Sequence, residues 1–267
     1  MNNYLYVENA KKSRRVIIKI GSSSLTHATG KLNIRRIESL TKVIADFSNA
    51  GREIILVTSG AVSAGAAKLG LKMPLEKIEV KKAAAAVGQA ELMNIYDRFF
   101  MPFGIKIAQV LLTRDVIENE ERRQNAEDTF KILISMGCVP IVNENDTVSS
   151  EELKFSGNDI LSAYVAKLCK ADLLINLSDR DGLYNKNPAE HKDAELIREV
   201  EKITPEVLAY AGGAGSVLGT GGFITKLQAA LMLEDEHIPM ILANSENPDI
   251  LYDILNGRIA GTYIRNG

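Results

Sequence analysis

A chain of 267 residues with 46% apolar and 25% charged side chains has the make-up of an ordinary globular enzyme. Its net charge of −2 and pI near 6.0 argue against a nucleic-acid surface, which needs a basic face. No run approaches the roughly 18 apolar residues of a membrane span, residues 1–13 lack a signal-peptide core, and Cys138 and Cys169 suggest neither a disulfide framework nor a zinc site, so a cytoplasmic protein is expected.

After an N-terminal extension over 1–13, short β-branched runs alternate with helical patterns. Strands are predicted at 15–20, 53–57, 105–112, 138–142, 173–177 and 238–243. Helices are predicted at 34–49, 62–69, 76–100, 122–136, 159–170 and 222–236. Strands apolar on both faces and spaced by helices imply an α/β fold with a mostly parallel sheet covered on both sides. Ligands of such sheets bind beyond the carboxyl ends of the strands. The polar stretches after the strands should therefore converge: Gly21-Ser22-Ser23, Thr58-Ser59-Gly60, Asn143-Glu144-Asn145-Asp146 and Ser178-Asp179-Arg180-Asp181-Gly182. The expectation is one domain over 14–267, with a soft boundary between lobes 14–170 and 171–267.

Two corners carry phosphate-binding chemistry. In Gly219-Thr220-Gly221-Gly222-Phe223-Ile224-Thr225-Lys226, three glycines remove the side chains that keep a backbone away from a phosphate. A helix start and a lysine follow, both attractive to anions. It is not a Walker A loop, because Phe-Ile-Thr separates the last glycine from the lysine. At the other corner, Lys19 ends an apolar strand and runs into Gly21-Ser22-Ser23-Ser24. A flexible linker and a snorkelling edge lysine are the plain alternatives. Together the two corners favour a polyphosphate held from both sides.

The remaining candidates follow the same logic. Asn143-Glu144-Asn145-Asp146 suits an ammonium and a carboxylate, or is a solvated turn. Ser59-Gly60 is a helix cap, a carboxylate donor, or both. Asp159 opens a helix, where an acid is common for local reasons; the sharper reading has it accept from Lys19 and Lys226 and aim them at a transferring phosphoryl group. His27, His191 and His237 have no nucleophile–acid partners in pattern, which argues against a hydrolytic triad. Phosphoryl transfer to a carboxylate needs no general base, since the acceptor's pKa is about 4.3.

In this order the motifs resemble the amino acid kinase family from Val16 to Ile264. They are Lys19-Ile20-Gly21-Ser22-Ser23, Thr58-Ser59-Gly60-Ala61, Ala86-Val87-Gly88-Gln89 and Asn143 to Val148. Asn158-Asp159-x-Leu161-Ser162-Ala163, Ser178-Asp179-x-Asp181-Gly182-Leu183-Tyr184 and Gly219 to Lys226 complete them. The resemblance implies a three-layer α/β/α sandwich and transfer of the ATP γ-phosphate to the γ-carboxylate of L-glutamate, the first step of proline synthesis. By position, Lys19 and Lys226 would neutralise the phosphoryl group and Asp159 would organise them. Gly21, Ser22 and Ser23 would offer backbone N–H groups, and Ser59, Asp146 and Asn158 would hold glutamate. Ser178, Asp179 and Gly219 to Lys226 (Thr220, Gly221, Gly222, Phe223, Ile224 and Thr225 between them) would hold ATP, with Mg²⁺ on its phosphates rather than on protein ligands. Proline-sensitive homodimers or homotetramers are the family habit.

Two departures stand out. Ser156-Gly157 replaces the usual Gly-Asp ahead of Asn158-Asp159, which removes an acid from the mouth of the glutamate site. The sequence also leaves no room for the C-terminal PUA-type domain of many bacterial members. The competing readings are an acetylglutamate, aspartate or nucleotide monophosphate kinase, and a non-catalytic sensor. A free α-ammonium suits the Asn143–Asp146 stretch better than an acetylated substrate does. A sensor would be expected to lose one of Lys19, Asp159 and Lys226, and all are present.

Overall fold

The computed structural model describes residues 3–150, 155, 157–212, 222–258 and 260–266. In chain order the elements are α1 (Asn3–Lys12), β1 (Arg15–Ile20), α2 (Ser22–Leu25), α3 (Ile34–Asn49), β2 (Glu53–Val57), α4 (Ala61–Lys68) and α5 (Ile78–Phe100). They continue with β3 (Lys106–Leu112), α6 (Arg114–Glu118), α7 (Glu120–Ser135), β4 (Cys138–Glu144), α8 (Asn158–Cys169) and β5 (Leu173–Ser178). The last are β6 (Glu199–Val200), α9 (Pro205–Gly212), α10 (Phe223–Met232), β7 (Met240–Asn244), α11 (Ile250–Leu255) and β8 (Thr262–Ile264). Packing gathers them into two compact units, one of Met1–Lys19 with Ser156–Gly267 and the other of Ile20–Phe155.

In the Ile20–Phe155 unit the strands run β3–β4–β2, all parallel. The register Val57↔Val142 places the carboxyl ends of β2 and β4 side by side. Both strands are buried nearly throughout, as expected of parallel strands under helices. β3 differs from the expectation for 105–112: Lys106 and Gln109 are exposed, and this strand stands at the end of the strand order with β4 as its paired neighbour. α3 buries Ile37, Leu40, Ile44 and Phe47, a stripe at helical spacing, and the Asn33 side chain caps it by accepting from the Arg36 N–H at 3.1 Å. α4 and α5 cross at two glycines. A Cβ on Gly88 would lie 1.7 Å from the Ala61 carbonyl oxygen, and one on Gly65 1.7 Å from that of Ala84. The alanine-rich run 83–86 therefore reads as close packing of helix on helix. The Thr58 and Tyr96 hydroxyls meet at 2.6 Å in the buried interior, which ties the turn after β2 to α5.

In the other unit the order is β1–β5–β7–β8–β6. β5 and β7 are parallel with Asn176 opposite Leu242; β8 is antiparallel to β7 and parallel to β6. Asp172 Oδ2 accepts from the backbone N–H groups of Arg14 and Arg15, each at 2.8 Å, and so pins the start of β1. The stretch read as an N-terminal extension carries α1, which packs on α11 and donates from Asn9 Nδ2 to the Tyr263 hydroxyl at 3.2 Å. Among the described residues no helix is long and apolar enough to cross a membrane.

All the predicted strands and helices are present; 15–20, 34–49 and 53–57 keep their bounds and the others have displaced ends. Sequence periodicity missed α1 and α9, which are as long as helices it found, and also α2, α6, α11, β6 and β8, which span six residues or fewer. The latter are too short to show a period, so only packing reveals them.

Candidate active site

Lys19 lies in β1 beside the fully buried Val16, Ile17, Ile18 and Ile20, and is 5% exposed. An ammonium there requires a counter-charge. Asp159, in the first turn of α8, supplies it: Lys19 Nζ lies 2.5 Å from Asp159 Oδ1. Lys226, in the first turn of α10, places Nζ 3.0 Å from Asp159 Oδ2. Two neutral donors complete the arrangement. Asn176 Nδ2 donates to Oδ1 at 2.8 Å, and Thr225 Oγ1 donates to Oδ2 at 2.7 Å. Thr225 Oγ1 is also 2.9 Å from the Gly222 carbonyl, but its single hydrogen favours the charged acceptor. Each carboxylate oxygen thus meets one ammonium and one neutral donor.

Two glycines set this geometry. Gly157 (φ 113°) turns the chain into α8 and Gly222 (φ 81°) turns it into α10, both in backbone regions that other residues rarely adopt. Burial works to raise the Asp159 carboxyl, yet Lys19 and then Lys226 outweigh it, and the group is held well below the usual carboxylate range. Burial holds Lys19 below the usual lysine value, and the like charge of Lys226 adds to that, while Asp159 pulls the other way.

The other expected phosphate-site residues are placed as follows. Gly21 caps the short α2, where the sequence reading had a loop; Ser22 and Ser23 are exposed. Ser178 ends β5, its Oγ accepting from the Arg180 N–H at 3.3 Å. Asp179 is exposed, and its charge reaches Lys19. Gly222 is exposed, Phe223 half-buried, and Ile224 and Thr225 buried. Gly219, Thr220 and Gly221 lie outside the described residues, as does Ser156.

In the Ile20–Phe155 unit, Ser59 follows β2 and Asp146 follows β4, so both half-buried residues sit at the carboxyl ends of paired strands. Asn143 and Glu144, expected in the loop, belong to β4. Asn143 accepts from the Glu144 N–H at 2.9 Å and donates to Gln89 Oε1 at 3.0 Å, while Glu144 Oε1 accepts from Ser149 Oγ and the Phe155 N–H. These two side chains shape the segment around Asp146. Asn158, in the unit that carries Asp159, opens α8 and is half-buried. Sequence reasoning passed over Asn176 and Thr225 as partners of Asp159. For Asn176 the signal was an amide inside Leu173-Leu174-Ile175-Asn176-Leu177, where burial demands a partner. Among the described residues no group of three or more His, Cys, Asp and Glu side chains is placed to hold a metal ion.

The model of the amino acid kinase family matches residues 14–244. A glutamate 5-kinase of Clostridium perfringens is 51% identical over 256 residues, covering 94% of this chain and 95% of that protein. One from Listeria innocua is 49% identical over 259 residues, covering 96% and 94%. Among solved structures, a T. acidophilum isopentenyl phosphate kinase product complex aligns with a TM-score of 0.63 at 21% identity, covering 94% of this chain and all (100%) of that one. UMP kinase from Bacillus anthracis aligns with a TM-score of 0.64 at 18% identity, covering 95% and 96%. The two structural likenesses speak for the fold alone, the mostly parallel α/β architecture expected from the sequence.

Proposed function

The chain belongs to the amino acid kinase family, and we propose that it is a glutamate 5-kinase, transferring the γ-phosphoryl group of ATP to the γ-carboxylate of L-glutamate. The product is L-glutamyl 5-phosphate, the first intermediate of proline biosynthesis. Identity near 50% to glutamate 5-kinases along almost the whole chain supports the substrate. The observation that carries the chemistry is the pair of nearly buried lysines on one carboxylate.

In the reaction a γ-carboxylate oxygen forms a bond to the γ-phosphorus as the bond from that phosphorus to the ADP oxygen breaks. No proton moves, because the acceptor is already ionised at neutral pH. The barrier is the approach of two anions, and fixed positive charge lowers it. Lys19 and Lys226 supply that charge, and Asp159 fixes where their ammonium groups lie. Each oxygen of Asp159 already accepts two donors, which fits it as an organiser of lysines and not as a metal ligand. Mg²⁺ would ride on the ATP phosphates and neutralise their oxygens.

Ser59, Asp146 and Asn158 hold glutamate in this reading, with Asp146 suited to the α-ammonium and Ser59 to a carboxylate. Gly21, Ser22 and Ser23 lend backbone N–H groups, and Ser178, Asp179 and the 219–226 segment hold ATP. Residues 14–170 then form the acid-binding lobe and 171–267 the nucleotide-binding lobe. A cytoplasmic, proline-inhibited homo-oligomer belongs to the same proposal.

The test is ATP turnover with Mg²⁺ and hydroxylamine, which traps an acyl phosphate as a hydroxamate. L-Glutamate, N-acetyl-L-glutamate and L-aspartate are compared. Hydroxamate from L-glutamate alone is the expected result. Hydroxamate from another acid moves the substrate; none from any acid, despite ATP binding, supports a sensor.

A further inference from the structure

Asn176 is fully buried in the middle of β5, between apolar neighbours, and takes no part in the assignments above. Its Nδ2 donates to Asp159 Oδ1, the oxygen that Lys19 also uses. Its Oδ1 has no hydrogen-bond partner and is buried. A buried amide that leaves one end unpaired carries a cost, so the paired end must justify it. The orientation is also determined: the flipped amide would set an oxygen against the carboxylate. Asn176 therefore acts as a donor and nothing else.

A neutral donor has a consequence that an ammonium lacks. Lys19 and Lys226 must turn part of their hydrogen bonding toward the phosphoryl group in the transition state. If they alone oriented Asp159, the carboxylate would be free to rotate with them. Asn176 from β5 and Thr225 from α10 each hold one oxygen by a bond that makes no demand on the lysines. We propose that Asn176 is a positioning residue for phosphoryl transfer, fixing the plane of the Asp159 carboxylate so that Lys19 keeps its place as it engages the phosphoryl group. This rests on the kinase reading.

Asn176→Asp supplies a readout that a purely structural role would not move. The charged groups around the position are Asp159 on α8, Lys19 on β1 and Lys226 on α10, with Asp179 acting on Lys19 from the end of β5. A protonated Asp at 176 still donates to Asp159; an ionised one repels it at the same distance. Burial and the neighbouring carboxylate favour the protonated form, and the lysines oppose it. In the hydroxamate assay kcat of this variant should fall by about tenfold or more on the alkaline side of a new ionisation. It should recover toward the parental value on the acid side. Asn176→Leu, with the donor removed at similar volume, should lower kcat by a similar factor at every pH, with KM for glutamate unchanged. Should the aspartate variant fail to fold, Asn176→Ser, a shorter donor without charge, is expected to lower kcat alone. Parental kcat in folded Asn176→Leu, or a loss there that falls on KM for glutamate and leaves kcat parental, overturns the proposal. An inactive parent protein overturns instead the kinase reading beneath it.

Discussion

Replacing Asp159 by asparagine keeps its volume and removes its charge. At the observed separations of 2.5 and 3.0 Å, and with an effective dielectric constant of about 20, the two attractions are about 7 and 6 kcal/mol before desolvation. Desolvation of three buried ions offsets most of that. The side chains of Lys19 and Lys226 are only 6% and 11% exposed, so the variant leaves two neighbouring cations without a counter-ion. We expect a loss of about 3–5 kcal/mol in unfolding free energy at pH 7, or roughly 6–20 °C in Tm for a chain of this size. The sign with pH follows from the depressed carboxyl. Its stabilisation is fully present above the unfolded-state value of about 3.9 and fades as pH falls toward the folded value. The gap between parent and variant should therefore be constant from neutral pH down to about pH 5 and narrow below about pH 4. Turnover should fall by at least about 10²–10³, because both lysines lose their anchor. Urea unfolding across that pH range, together with the hydroxamate assay, measures both effects. A variant within about 1 kcal/mol of the parent at pH 7, with parental turnover, would refute the claim that Asp159 holds the lysines.

Other perturbations separate the parts of the site. Lys226→Met should cut kcat by about 10²–10³ while glutamate binding, measured by calorimetry, stays near the parental value; unchanged kcat removes Lys226 from the mechanism. Asp146→Ala should act chiefly on KM for glutamate, and a defect in kcat alone would contradict its assignment. Gly88→Ala sets a methyl group 1.7 Å from the Ala61 carbonyl oxygen, so α4 and α5 must move apart. A loss of about 1–3 kcal/mol or more is expected in urea unfolding, and an unaltered midpoint would show that the crossing yields at no cost. Gly157→Asp puts a side chain on a residue at φ 113°. It should lower stability by about 1–3 kcal/mol, and a stability gain in the melting curve would contradict the strain argument.

The amino-acid sequence by itself determined the alternation of strand and helix, because buried parallel strands are apolar throughout and covering helices repeat at 3.6 residues. It also named Lys19, Asp159 and Lys226 as candidates: a lysine near the end of an apolar run is costly without an anion, whereas an acid at a helix start is common for local reasons and drew notice only beside the two lysine-bearing corners. Other elements were beyond it: α1 is secured by Asn9 against Tyr263, far apart in sequence, and the short β6 and β8 exist through their pairing. Nor did position at the end of β4 show that Asn143 and Glu144 turn to Gln89, Ser149 and Phe155, because alternation along a strand says which face a side chain takes and not which partner waits there. The environment of Asp159 is the clearest case. Its ammonium partners announce themselves by charge, which is costly to bury and so visible in any apolar context. Its neutral partners, Asn176 and Thr225, become meaningful only when the chain brings β5, α8 and α10 to within hydrogen-bond distance, a condition set by packing and by no local run of residues.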